Sequence, residues 1–270
     1  MPDRPHLILF NPDQWRGDVM GHHGNPAAQT PTLDRWVEED AVSFSQAFCQ
    51  NPVCTPSRCS LMTGWYPHVR GHRTMFHMLR DDEPMLLQSL KESGYYVWWG
   101  GKNDVVPAQH GYEDYCHVKY EPDRPPNEKW GGERVEGWRG EPGSDTYYSF
   151  HVGKIPTGPD ESYYYDPDWA YVLGAIEHIH QYAADPPDDR PLCLFLPIAY
   201  PHPPYAVEDP WHSQIDRSAL PPRTPPPNTW SHKPSILQAI AERQNLQGWD
   251  ESRWDELRAT YYAMCARVDA

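Results

Sequence analysis

Residues Pro191 to Pro204 read Pro-Leu-Cys-Leu-Phe-Leu-Pro-Ile-Ala-Tyr-Pro-His-Pro-Pro. The stretch from Leu192 to Ile198 is apolar without alternation, as in a strand covered on both faces inside a parallel sheet. It empties into a proline-rich turn that carries His202. Three more strands are predicted upstream. His6 to Phe10 ends at Asn11-Pro12-Asp13-Gln14, Val42 to Phe48 delivers the chain to Cys54, and Tyr95 to Trp99 closes at Gly100-Gly101-Lys102-Asn103-Asp104. The predicted helices begin with Thr30 to Val37, where Thr30 is the N-cap and Pro31 suits the first turn. Ser57 to Thr63 follows, then Met85 to Ser93, ended by Gly94. Asp166 to Ala184 sets Trp169, Val172, Leu173, Ile176 and Ile179 on one side. The last helix runs from Trp249 to the end and carries Leu257, Tyr261, Met264 and Val268. Alternating strands and helices predict an α/β fold with a largely parallel sheet. Ligands gather beyond the carboxyl ends of such strands. Asp13, Cys54, Lys102 and His202 each follow a predicted strand, which makes them candidates for one shared site.

Between these elements lie two stretches without periodicity. Residues 105–165 are rich in Gly, Pro, Tyr, Trp and acids and read as a long surface excursion with room for a small hairpin. Residues 206–234 are a second, proline-rich loop. Long loops in compact domains are commonly functional, so both are candidates for the substrate side. Tyr163-Tyr164-Tyr165 would line a pocket or pack under the first loop. His22-His23 reads as a surface turn, because adjacent side chains diverge, and Glu38-Glu39-Asp40 as a solvated helix end.

The 270-residue chain carries a formal net charge of −15. That argues against nucleic acid as a partner, since phosphate binding needs clustered cations. An anionic substrate would need a local cationic pocket within this acidic shell. The 31 prolines fix many loop segments. The apolar run near the N-terminus is only four residues long. It is too short for a signal peptide or a membrane span, which predicts a cytoplasmic protein with no membrane association. The six cysteines show no zinc spacing, nothing demands disulfides, and Cys193 reads as a small apolar residue of its strand.

Cys54 to Gly64 reads Cys-Thr-Pro-Ser-Arg-Cys-Ser-Leu-Met-Thr-Gly, joining a Cys, a Pro two residues on and an Arg four residues on. This pattern resembles the signature of type I sulfatases of the alkaline phosphatase superfamily. Further blocks carry the same resemblance: Asp13-Gln14; Gly21 to Asp34; Tyr66-Pro67-His68; Lys91 to Tyr95 leading to Gly101-Lys102; Pro201-His202-x-Pro204; and Tyr261 to Met264. The resemblance implies an alkaline-phosphatase-like, mostly parallel sheet with helices on both faces. It implies hydrolysis of a sulfate monoester of a sugar or small alcohol. It also implies that Cys54 is oxidised to formylglycine by a maturation enzyme. One hydroxyl of the aldehyde hydrate would attack sulfur, and the second would then expel the covalent sulfate. Arg58 would hold the hydrate, Lys102 would grip sulfate oxygens, and His202 would bind sulfate or protonate the leaving oxygen. Asp13 and residue 54 would bind a divalent cation, Ca2+ by family resemblance.

Two departures and one expectation accompany the resemblance. Pro12 stands where many members carry a second Asp, so only Asp13 can ligate; some relatives, including phosphonate monoester hydrolases, also manage with one. Phosphonate or phosphate ester hydrolysis is therefore the alternative activity. Asp104 stands where the family's lysine block brings a His; it could serve as base, with His72, His77 or His110 as substitutes. The resemblance also predicts that residues 1–270 are the N-terminal part of the catalytic domain. The sheet would then be incomplete at the C-terminus, with the second metal-binding segment and the smaller subdomain missing, and an inactive fragment is the further alternative. On that view the terminal helix presents an unpaired apolar face.

Overall fold

The computed structural model describes residues 4–123, 140–155 and 166–270. In chain order the described elements are β1 (Leu7–Pro12), α1 (Pro31–Glu39), α2 (Cys54–Thr63), α3 (Pro67–Arg70), α4 (Leu86–Glu92), β2 (Tyr96–Gly100), β3 (Val118–Tyr120) and α5 (Asp145–Ser149). They continue with β4 (His151–Lys154), α6 (Pro167–Ala184), β5 (Leu192–Ile198), β6 (Tyr205–Val207), α7 (Trp211–Gln214), α8 (Ser235–Gln244) and α9 (Glu251–Asp269). They fall into two compact units. The first comprises Met1–Gln14, Gln46–Arg124 and Asp166–Ala199; the second comprises Trp15–Ser45, Pro125–Tyr165 and Tyr200–Ala270. Among the described residues no helix is long and apolar enough to cross a membrane. The six cysteines are free thiols.

The first unit is built on a parallel sheet of order β1-β5-β2-β3. Every residue of β5 is buried, as its unbroken apolar run demands. Alternation sorts the side chains of β1: Leu7 and Leu9 pack on the core with Val97, Trp99, Cys193 and Phe195, against Cys59 and Met62 of α2 and Leu87 of α4. On the opposite face Trp98 stacks on Tyr120 and on His178 of α6. Helices thus cover both faces. Ile8 and Phe10, on this second face of β1, stay exposed, so β1 is an edge strand buried on one face only.

Helix α6 reverses the expected orientation. Trp169, Leu173 and Ile176 of its apolar stripe are exposed, while Asp168, Tyr171, Gly174, Ala175 and Tyr182 are buried. Polar and small residues win here because the sheet offers aromatic rings and free backbone donors. Asp168 accepts the Ala199 N–H at 2.9 Å. At Gly174 an added Cβ would fall 2.3 Å from the Tyr120 ring, so only glycine admits the close approach.

Two other expectations also differ. Val42 to Phe48 is not a strand, and Val42, Phe44 and Phe48 are exposed. Its alternating apolar residues find no neighbouring backbone to pair with, and a strand needs a ladder as well as a pattern. Among its described residues, the 105–165 excursion supplies α5 and the strands β3 and β4, which pair in parallel with β2 and β6, and no hairpin. Tyr163 to Tyr165 lie outside the described residues.

In the second unit β4 and β6 pair in parallel, and α9 is the centre. Tyr261, Tyr262, Ala263, Met264 and Cys265 are buried with Val19, Ala27, Val207 and Ile215. The terminal helix therefore does not present the unpaired apolar face expected of it. Its last residue, Asp269, accepts the Thr32 and Leu33 N–H groups at 2.8 and 2.9 Å, satisfying otherwise orphaned donors at the start of α1.

Because Gly174 sits against a ring with no room for a methyl group, Gly174→Ala should lower stability by about 1–3 kcal/mol through overpacking, despite its better helix propensity. Urea denaturation measures this; an unchanged or raised midpoint would show that α6 does not dock as described.

Candidate functional site

The site is assembled at the carboxyl ends of β1 and β2 and the start of α2, all within the first unit. Alternation along β1 extends to its end, so Asn11 and Asp13 follow Leu7 and Leu9 on the face toward α2. Cys54 is the first residue of α2, at the positive end of the helix dipole, where anions are favoured. Pro56 is tolerated there because the first-turn N–H groups lack intrahelical acceptors. Arg58, one turn on, shares the face of Cys54.

The Arg58 guanidinium is buried and forked. Its Nη1 donates to Asn11 Oδ1 at 3.1 Å and its Nη2 to Asp13 Oδ2 at 3.2 Å. Lys102 Nζ donates to the same Asp13 oxygen, and lies 3.1 Å from Asp104 Oδ2. The Cys54 thiol completes the cluster: Sγ is 3.7 Å from Asp13 Oδ1 and 3.7 Å from Lys102 Nζ.

Local backbone chemistry holds Lys102 there. Its N–H donates to the Pro197 carbonyl at the end of β5 at 2.8 Å. Gly101 just before it has φ 100°, and a Cβ would stand 2.1 Å from that carbonyl oxygen; no other residue fits. Asn103 then accepts the Val105 and Val106 N–H groups at 3.0 and 2.9 Å, an Asx-type turn that carries Asp104 at φ 51°.

Electrostatically, two carboxylates face an ammonium and a guanidinium. Burial pushes the Lys102 pKa down, but the hydrogen bond to Asp13 and the charges of Asp13, Asp104 and Cys54 more than offset it, so the net shift is upward. The Cys54 thiol is pushed up, chiefly by burial and further by Asp13 and Asp104, with Lys102 opposing. A thiol held protonated is a weak nucleophile.

Asp13, Cys54 and Asp104 offer ligand atoms within 4.8 Å of one another. The carboxylates fit a hard divalent cation, and the Asn11 amide oxygen bonded to Arg58 is of the same class. The sulfur does not fit, because thiolates select softer metals. Oxidation of residue 54 to an oxygen ligand would remove the mismatch.

Of the residues singled out in the sequence, Asp13, Cys54, Arg58, Lys102 and Asp104 are brought together. His202 belongs to the second unit, where its Nδ1 donates to the Pro203 carbonyl at 2.7 Å. The substitute bases are engaged elsewhere. His72 is buried between the His77 carbonyl and Glu83, at 2.7 and 3.1 Å. His77 pairs with the Thr74 hydroxyl at 2.8 Å, and His110 lies 2.8 Å from Asp81. Asn11 was missed, although its spacing two residues before Asp13 on a strand is the available signal.

The chain is similar to several known proteins. An ulvan-active sulfatase of Formosa agariphila is 39% identical over 101 residues, covering 37% of this chain and 20% of that protein. Arylsulfatase K of Gallus gallus is 24% identical over 292 residues, covering 99% of this chain and 48% of that protein. Among solved structures, the phosphonate monoester hydrolase of Agrobacterium radiobacter superposes with a TM-score of 0.66 at 23% identity, covering 98% of this chain and 57% of that one. The chain thus spans about half the length of proteins it matches from end to end. The solved neighbours share the alkaline-phosphatase-like α/β fold. The family model described as Sulfatase matches residues 5–270, and the chain belongs to the sulfatase family.

Proposed function

We propose that the intact protein hydrolyses a sulfate monoester, with residue 54 acting after a maturation enzyme has converted Cys54 to formylglycine. The observation that carries this reading is the convergence of Lys102, Arg58 and two carboxylates on the first residue of α2. An unmodified thiol suits the chemistry poorly, since its surroundings hold it protonated. The aldehyde hydrate of formylglycine would supply an oxygen nucleophile that needs no thiolate.

The chain's own residues then have distinct tasks. Lys102, kept charged by its carboxylate neighbours, is a compact cation for sulfate oxygens. Arg58 fixes Asp13 and Asn11 and adds a second positive charge behind the nucleophile. Asp104 lies within reach of position 54 and would accept a proton there. His202 would bind sulfate or protonate the leaving oxygen, on the strength of its strand-end motif. Asp13 and the converted residue 54 would hold a divalent cation, Ca2+ by family resemblance, whose charge would offset that of the ester oxygens. The substrate class is a sulfated sugar or small alcohol. Pro12 favours one second reading, phosphonate or phosphate ester hydrolysis on the same scaffold, since it leaves a single Asp in the first segment.

In the intact, matured protein, Cys54→Ala or Lys102→Ala should each lower turnover of an aryl sulfate by at least about 10²-fold, the scale of losing one transition-state contact. Arg58→Lys should also lose activity, because an ammonium cannot span Asn11 and Asp13. Undiminished hydrolysis by Cys54→Ala would end the proposal. Faster hydrolysis of a phosphonate monoester than of every sulfate ester tested would select the second reading.

In protein made without the maturation enzyme, alkylation of Cys54 by iodoacetamide should slow in Lys102→Ala and quicken in Asp104→Asn. Removing the cation lets burial and the carboxylates raise the thiol pKa further, whereas removing a carboxylate lowers it. The opposite order in a pH-rate series would show that these groups do not govern the thiol.

A further inference from the structure

A cavity of about 640 Å³ opens in the first unit between residues 75–81 and 107–110, well within the size range of small-molecule sites. Both walls lead away from the cluster just described. Thr55, next to Cys54, donates its hydroxyl to the Met75 carbonyl at 3.4 Å, and Pro107 follows Asp104 by three residues. The walls are joined to each other as well: the Leu79 N–H donates to the Val105 carbonyl at 2.9 Å, and the His110 ring lies 2.8 Å from the Asp81 carboxylate.

The lining is carbon-rich. Met75, Phe76, Met78 and Pro107 contribute apolar surface, and Phe76 is 93% exposed. A phenyl ring left in water beside a cavity loses hydrophobic stabilisation unless a ligand covers it. Methionine side chains are adaptable and pack well on aromatic rings. A sugar ring would ask instead for a dense set of hydrogen-bond donors and acceptors. Of the polar lining, His77 bonds to Thr74, Arg80 donates to the Arg70 carbonyl and Asp81 lies against His110, which leaves Gln109 to meet a hydroxyl.

We infer that this cavity receives the alcohol part of the ester, and that the alcohol is aromatic or otherwise apolar rather than a sugar. Phe76 and Met78 are the specificity-determining side chains. This rests on the proposed ester hydrolysis, and it sets Phe76 and Met78, in the segment after α3, opposite residues 107–110 of the first long loop.

The test compares the intact, matured protein with Phe76→Ala and Met78→Ala on 4-methylumbelliferyl sulfate and galactose 6-sulfate. The ratio of kcat/KM for the aryl ester to that for the sugar ester should fall about tenfold in each variant, mostly through KM for the aryl ester, as expected for lost apolar contact. An unchanged ratio in folded variants that still hydrolyse both esters overturns the inference and leaves the sulfatase reading standing. Calorimetric binding of 1-naphthyl sulfate to Cys54→Ala protein tests the cavity without turnover. Affinity about tenfold weaker once Phe76→Ala is added supports the inference, and equal affinity contradicts it. Binding that depends on Phe76, in a protein whose matured form hydrolyses no ester, would instead sink the sulfatase reading alone.

Discussion

One carboxylate ties together three segments of the first unit. Asp13 leaves the end of β1 and accepts from Lys102, which leaves the end of β2, and from Arg58, which belongs to α2. Cys54 stands against the other oxygen of the same group. Arg58 and Asp13 are largely buried, and removing one partner of such a pair costs about 3–5 kcal/mol because the other charge is left desolvated. Stability alone does not require the arrangement, since apolar residues of similar volume often serve as well. What it secures is position: two cations and two carboxylates held around one side chain at a helix N-terminus.

The fold serves this cluster through small local devices. Glycine at 101 lets the chain pass over the Pro197 carbonyl, and the Asn103 turn sets Asp104 beside Lys102. The buried β5 lies between β1 and β2 and holds their ends in register. Charge balance within the cluster explains why it can be buried at all: the ammonium and guanidinium are matched by two carboxylates. A bound divalent cation would tip the balance toward an anionic ester.

Much of this was legible in the sequence because it depends on patterns that tertiary context does not override. The unbroken apolar run of β5, the glycine after α4 and the strand-end positions of Asp13 and Lys102 all read correctly. The failures have physical causes. Val42 to Phe48 shows strand alternation, but whether a strand forms depends on a partner ladder that no local pattern reveals. The apolar stripe of α6 pointed outward because the sheet face it meets is built from Trp98, Tyr96 and Tyr120, which accept a glycine, an alanine and tyrosines more closely than branched side chains. Strand β3 is three residues long, too short to show a period. Asn11 was overlooked because its function appears only once Arg58 reaches it.

On the proposed mechanism this charged cluster surrounds an oxygen nucleophile made from a thiol. Mass spectrometry of the peptide spanning Cys54, taken from active protein, tests it most directly. The account predicts a residue lighter by the exchange of one sulfur and two hydrogens for one oxygen, with reactivity toward a hydrazine. An intact Cys54 thiol throughout a preparation that hydrolyses sulfate esters would contradict it.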